Sequence, residues 1–166
     1  MDAQQLKSVQ DPLKEKYRQD PESALITLKA VSKVGEGITC KIETGKMLAE
    51  AGLHPATGGD GLSVCSGDML LEALAACAGV TLKAVATAID FDIQDASIYV
   101  EGDLDFRGTL SVDKTAQVGF KEIRLHFNVQ SEETPEKLAT LIKLTERFCV
   151  VYQTLAKGNS IAVSYT

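Results

Sequence analysis

The spacing of hydrophobic residues changes several times along the chain, and the longest apolar stretch predicts a helix. This stretch, SGDMLLEALAACAGVTLKAVATAI at positions 66–89, would be hydrophobic on nearly every helical face. Ser66 or Asp68 can cap its first turn. Asp68, Glu72 and Lys83 interrupt it, so it contains no uncharged run of the roughly 18 residues that a membrane span needs. The pattern therefore predicts a helix buried within protein.

Alternating apolar positions predict β-strands on both sides of this helix. Before it, residues 24–34 and 38–44 carry strand-type side chains around a glycine turn at 35–37, which predicts a β-hairpin. After it, residues 93–106 and 117–129 alternate apolar and polar side chains. This second alternation predicts two long antiparallel strands.

The C-terminal part predicts two helices and a last strand. Thr134 followed by Pro135 is a preferred helix start, with a capping side chain and then proline at the first helical position. A shorter helix is predicted over 150–157, ending at a Gly-Asn pair. Residues 160–166, SIAVSYT, alternate again and predict a final strand.

The grouping of these elements indicates an α+β fold in a single domain. Strands are mostly adjacent in sequence and helices are few, which differs from a βαβ repeat. A chain of 166 residues is most simply one domain, here residues 1–166. Residues 1–23 are predicted to form an N-terminal arm or loose helix interrupted by Pro12. Residues 45–53 fit a strand or a short helix equally, and a turn-rich loop follows them.

Composition and charge narrow the classes of function. Hydrophobic residues make up 45% of the chain and charged residues 24%, which is ordinary for a soluble globular protein. The net charge of −6 and the scattered lysines and arginines argue against binding to nucleic acid or to a membrane surface. The N-terminus is polar and has no signal-peptide core, so we expect a cytoplasmic protein.

Four cysteines are the main candidates for chemistry. In a reducing compartment such thiols are more often core residues or reactive groups than structural disulfides. Cys40, on a predicted strand, fits a core role, and Cys65 in the loop is ambiguous. The chain has no C-x-x-C pair and only two histidines, so no metal site and no cofactor are expected.

Two of the cysteines lie in predicted helices. Cys77 is at the centre of the apolar helix, where a thiol by itself is most simply a small buried hydrophobic group. Cys149 follows Arg147 at the junction of two helices, and a helix end beside a cation can hold a thiolate. A solvated surface arginine explains Arg147 equally well.

These cysteines carry a resemblance to a known family. The stretch SGDMLLEALAACAGVTL, followed about 70 residues later by ERFCVVYQTL, resembles the OsmC/Ohr family of thiol-dependent peroxidases, which reduce organic hydroperoxides. The similarity runs from about Ala24 to the C-terminus, and the loop HPATGGDG resembles the OsmC-like branch. It implies antiparallel sheets around a long buried central helix, and an intertwined homodimer.

The resemblance also implies roles for particular residues. Cys77 would be the peroxidatic cysteine, attacking the peroxide to leave a sulfenic acid, and Cys149 the resolving cysteine that forms a disulfide with it. A small dithiol or a lipoylated protein would then reduce this disulfide. In the family, an arginine held by a glutamate activates the thiolate. The closest matches here are Arg18 and Asp68.

The chain departs from the family pattern at several positions, which leaves alternatives open. Asp68 is one methylene shorter than glutamate, and Glu72 is a second acid one turn further along. The proline that often follows the second cysteine is replaced by Val150. His54 lines the site entrance or is a solvated loop residue. The alternative function is a non-catalytic or differently active OsmC-like protein that binds a small apolar ligand or senses redox state. A third possible function is that of a structural dimer module with no active site.

Overall fold

A four-stranded antiparallel sheet with helices packed against it forms the centre of the computed structural model, which describes residues 3–34, 40–42, 51–62 and 64–165. The helices are α1 (Ala3–Gln19), α2 (Ser66–Ala88), α3 (Phe106–Thr109), α4 (Pro135–Phe148) and α5 (Val150–Lys157). The strands are β1 (Leu25–Val34), β2 (Cys40–Ile42), β3 (Ala51–Gly52), β4 (Val64–Cys65), β5 (Asp95–Asp105) and β6 (Phe120–Gln130).

The order of strands in the sheet is β2-β1-β5-β6. The antiparallel pairing of β1 with β2 confirms the predicted hairpin strands, although the turn at 35–37 lies outside the described residues. The pairing of β5 with β6, in which Val100 faces Leu125, confirms the predicted pair of long strands. β3 pairs in parallel with β4, so the undecided stretch 45–53 ends in a two-residue strand. Positions 45–50 also lie outside the described residues.

The main core lies between the sheet and α2. Alternate residues of β5, Ala96, Ile98 and Val100, turn their side chains into the core, as the period of a strand requires. On α2, Leu74 and Leu82 are buried in the same cluster. Burying one such leucine completely stabilises the fold by about 1.5–3 kcal/mol. This packing fixes the orientation of α2 and of the cysteine at its centre.

The prediction of a buried helix holds for one face of α2. By its length of 23 residues and its apolar composition, this helix could cross a membrane. In the structure, however, it packs against β1, β5 and α4. Met69, Leu70 and Val80 remain exposed on another face. The predicted cap is wrong: Cys65 is the N-cap residue, because its backbone is still extended while Ser66 is already helical.

At both ends of the chain, the secondary structure differs in detail from the prediction. The predicted N-terminal helix forms and continues through Pro12. The predicted start of α4 is confirmed, since the Thr134 side chain accepts a hydrogen bond from the Lys137 N–H. The predicted final strand is wrong for the described residues 160–165, which have no regular structure. Alternation produces a strand only when a neighbouring strand supplies hydrogen bonds, and within the described residues nothing pairs with this segment.

Candidate thiol site

The packing of α2 against the C-terminal helices brings two cysteines together. Cys77 lies midway along α2, and Cys149 lies between α4 and α5. The two thiols lie close enough to shift each other's pKa. Cys77 is partly exposed, whereas Cys149 is only 1% exposed. Residues about 70 positions apart in sequence therefore form one pair of adjacent thiols.

A break between two helices places Cys149 in this pair. Its backbone leaves the helical region, with φ −70° and ψ 108°, so that it ends α4 and also serves as the N-cap of α5. Its sulfur accepts a hydrogen bond from the Tyr152 N–H at 3.5 Å, the usual geometry of an N-cap side chain with sulfur in place of oxygen. The start of α5 is thereby held against the middle of α2.

The first turn of α5 also lies beside Cys77. The first N–H groups of a helix have no acceptor within it and point outward from its positive end. Here the Val150 and Val151 N–H groups lower the pKa of Cys77. The hydroxyl group of Thr81 on α2 lowers the pKa of Cys77 as well.

These contacts separate the pKa values of the two thiols. Burial raises the pKa of Cys77, but the hydrogen bonds from Val151, Cys149, Thr81 and Val150 outweigh it, and the pKa of Cys77 is lowered. Burial, reinforced by the neighbouring Cys77, raises the pKa of Cys149 to about 11. The arrangement therefore favours a Cys77 thiolate beside a protonated Cys149.

The predicted acid Asp68 lies apart from the sulfurs. It is nine residues before Cys77 on α2, or about 14 Å along the helix axis. Burial raises the pKa of Asp68, and the nearby His54 opposes that rise. The His54 ring stacks on Phe106 at 4.9 Å between centroids. The pKa of Glu72 is raised by burial and by Asp68, so the two carboxyl groups form a separate cluster near the start of α2.

The structure does not bring Arg18 to the sulfurs. Arg18 is exposed near the end of α1, where its guanidinium lies 3.1 Å from a carboxylate oxygen of Glu15. Arg147 is exposed as well, with its guanidinium carbon 5.3 Å from the centre of the Phe148 ring. Across the part of the chain that the structure describes, the groups that lower the pKa of Cys77 are uncharged.

Sequence reasoning missed Thr81 and the α5 amide groups. Thr81 follows Cys77 by four residues, a spacing that places both side chains on one helical face, so its position was available as a signal. The amide donors depend on where α4 ends, which no motif indicates. Cys65 lies at the start of α2, and Cys40 falls on β2 as predicted. Among the described residues, no group of three or more metal-ligating side chains could hold a metal ion.

An open groove lies between β6 and the two C-terminal helices. Its volume is about 400 Å³, and it is lined in part by Tyr152, whose N–H contacts the Cys149 sulfur. The other lining residues are Ile123, Leu125, His126, Phe127, Ile142 and Glu146. The exposed lining of the groove is more polar than apolar, and the groove begins beside the helix turn that holds the thiols.

Fold and site together define an α+β protein with a paired-thiol centre between its central helix and a helix N-terminus. The family model for OsmC-like proteins matches residues 58–164, and the chain belongs to this family. The fold is similar to the crystal structure of an OsmC-like hydroperoxide resistance protein from Jannaschia sp. CCS1, with a TM-score of 0.63 and 16% sequence identity over 83% of this chain and 91% of that one. No curated protein sequence matches the chain. The predicted family and fold class are confirmed.

Proposed function

We propose that this protein is a thiol-dependent peroxidase that reduces organic hydroperoxides, with Cys77 as the attacking and Cys149 as the resolving cysteine. The observation that carries the proposal is the pair of adjacent thiols, in which the pKa of Cys77 is lowered and that of Cys149 is raised to about 11. A peroxidase needs a nucleophilic thiolate and a second thiol within reach. The similarity to a protein named for hydroperoxide resistance agrees with this chemistry.

The proposed reaction has two chemical steps on the protein. The Cys77 thiolate attacks the terminal peroxide oxygen; a sulfur–oxygen bond forms, the oxygen–oxygen bond breaks, and the alkoxide takes a proton from water to leave as an alcohol. Sulfur is oxidised to a sulfenic acid while the peroxide is reduced. The Cys149 sulfur then attacks the Cys77 sulfur, and the departing hydroxide carries away the Cys149 proton as water, leaving a disulfide.

The exposure of the two sulfurs favours this assignment of roles. Cys77 is partly exposed and Cys149 is buried, so a peroxide in solution reaches Cys77 first. The groove beside Tyr152 includes apolar side chains such as Ile123 and Ile142, which the organic group of an alkyl hydroperoxide can contact. We propose that a small dithiol or a lipoylated protein completes the cycle by attacking the more exposed sulfur of the disulfide and becoming oxidised itself.

One equivalent of cumene hydroperoxide is expected to convert the reduced protein to a single Cys77–Cys149 disulfide and to release one equivalent of alcohol. Peptide mass spectrometry after alkylation of the remaining thiols measures the disulfide, and chromatography measures the alcohol. The Cys65→Ser variant is the matched control and should give the same product. Oxidation that instead joins Cys65 to another cysteine, or alcohol release without a disulfide, would contradict the proposed cycle.

We also propose that the working unit is a homodimer. Met69, Leu70 and Val80 leave an apolar stripe exposed on α2. The side chains of Ile161, Val163 and Tyr165 are 84%, 86% and 97% exposed on the segment after α5. Apolar surface of this kind is typical of an interface. The alternating residues of this segment also suit strand pairing with a second copy.

Light scattering after size-exclusion chromatography is therefore expected to give twice the chain mass of 17.8 kDa. The double variant Ile161→Asp, Val163→Asp should shift the protein toward the monomer, because it places charges in the proposed interface. Ser164→Asp, on the other side of the same alternating segment, is the matched control and should stay dimeric. A monomeric parent protein at micromolar concentration would refute the dimer.

A further inference from the structure

The sulfur of Cys149 makes a contact that its proposed role as the resolving thiol does not use. Cys149 is the N-cap residue of α5, and its sulfur accepts a hydrogen bond from the Tyr152 N–H at 3.5 Å. This N–H is one of the first amides of the helix, which have no acceptor within the helix itself. The same side chain belongs to the core cluster against which Cys77 packs, so it has two neighbours at once.

The main chain of Cys149 is held on both sides of this side chain. Its N–H donates to the Thr145 carbonyl oxygen at 2.9 Å, and its carbonyl oxygen accepts from the Gln153 N–H at 2.9 Å. The Gln153 side chain also donates to the Glu146 carbonyl oxygen at 2.8 Å, which joins α5 to the end of α4. Because these bonds hold the junction between the helices, a movement of Cys149 falls first on its side chain.

Formation of a Cys77–Cys149 disulfide requires such a movement. Both cysteines are free thiols in the structure. Bonded sulfurs are about 2.0 Å apart, with a torsion of about 90° around the bond, whereas non-bonded heavy atoms keep a separation of about 3.5–4.0 Å. Cys77 belongs to a helix of 23 residues that is anchored in the core by Leu74 and Leu82. The adjustment therefore falls mainly on Cys149, whose sulfur leaves its position over the first turn of α5.

We propose that Cys149 makes α5 a redox-sensitive element: its thiol caps the helix, and its disulfide with Cys77 releases the cap. The inference rests on the disulfide of the proposed function. In that reaction an organic hydroperoxide accepts two electrons and two protons from the two thiols, an S–S bond forms, the O–O bond breaks, and alcohol and water leave. The Tyr152 N–H then lacks its acceptor, and the first turn of α5 loosens.

This loosening reaches the groove beside the thiols. Tyr152 lines that groove from α5, opposite Ile142 and Glu146 of α4. The second turn of α5 stays in place, because Leu155 packs against the main core. The reduced and oxidised proteins therefore differ in the wall that α5 supplies to the groove, beside the disulfide that a dithiol has to reach.

Backbone amide hydrogen exchange in the dithiol and disulfide forms tests the release of the cap. Diamide, an azo compound that accepts two electrons and two protons from a pair of thiols, makes the disulfide without peroxide, and peptide mass spectrometry verifies the linkage. The Tyr152 amide, followed by NMR, should exchange at least about threefold faster in the disulfide form, as expected for the loss of a helix cap. The Val100 amide of the central strand β5 should exchange equally in both forms, which excludes a general loosening.

Substitutions at Cys149 separate the cap from the disulfide. Cys149→Ala removes the cap without oxidation, so the reduced variant should already show the faster exchange at Tyr152. Cys149→Ser keeps an oxygen cap and cannot form the disulfide, so its exchange should not respond to diamide. Cys65→Ser is the matched control at the start of α2 and should respond as the parent protein does.

Two results would overturn the inference. The first is equal exchange at Tyr152 in the two forms of the parent protein, with the disulfide in place. The second is a failure of diamide to form the Cys77–Cys149 disulfide. Diamide bypasses the peroxide, so faster exchange in the diamide-treated protein, combined with no oxidation by cumene hydroperoxide, would refute the peroxidase function alone.

Discussion

Cys77→Ser is expected to lower kcat/KM for organic hydroperoxide by at least about a thousandfold, which corresponds to about 4 kcal/mol of activation free energy. A serine hydroxyl group is almost fully protonated at neutral pH, whereas the lowered pKa of Cys77 makes the thiolate available. The assay couples peroxide loss to oxidation of a small dithiol such as dihydrolipoamide. Serine is nearly isosteric with cysteine, so the fold of α2 should be preserved.

The matched control is Cys65→Ser. Cys65 is a free, partly buried thiol at the start of α2, twelve residues before Cys77. Its replacement should leave kcat/KM within about twofold, because its side chain makes no cap hydrogen bond to the helix that a serine would lose. Unchanged peroxide consumption in Cys77→Ser would refute the peroxidase mechanism and favour ligand binding or redox sensing.

Local sequence pattern is sufficient for the elements whose burial it determines. α2, β5 and β6 form where the apolar spacing places them, because each has a face that must pack in the core. Residues 160–165 carry the same strand-like alternation without forming a strand. Such a segment forms a strand only when the edge of another strand is available for hydrogen bonding. The sequence of the segment itself does not provide that edge.

The site is predictable only in part for a related reason. The two cysteines were recognised as candidates from their motifs, but their contact depends on how α4 ends and α5 begins against α2. The expected arginine shows the limit of transferring a pattern residue by residue. Arg18 pairs with Glu15 on α1, while the groups that lower the pKa of Cys77 include main-chain amides of α5. Because main-chain N–H groups are present whatever the side chain, the sequence does not reveal which of them act at the site.

Cys149→Ser is expected to retain the first reduction of hydroperoxide but to lose disulfide formation. Serine can still donate a hydrogen bond to Cys77 and is a better helix N-cap than cysteine, so the Cys77 thiolate and the start of α5 should both persist. Without a second thiol, the sulfenic acid at Cys77 should accumulate after one equivalent of hydroperoxide. A dimedone adduct on the Cys77 peptide, measured by mass spectrometry beside alcohol release, detects it.

Cys149→Ala separates the two roles proposed for this residue. Alanine removes both the resolving sulfur and the hydrogen bond that lowers the pKa of Cys77, so the first step should slow at neutral pH as well. The slowing should diminish as pH rises, because the thiolate then forms without the donor. If Cys149→Ser instead formed no sulfenic acid and sustained the parent's turnover with a dithiol, Cys149 would have no part in the reaction. The adjacent thiols would then be a packing feature of the core.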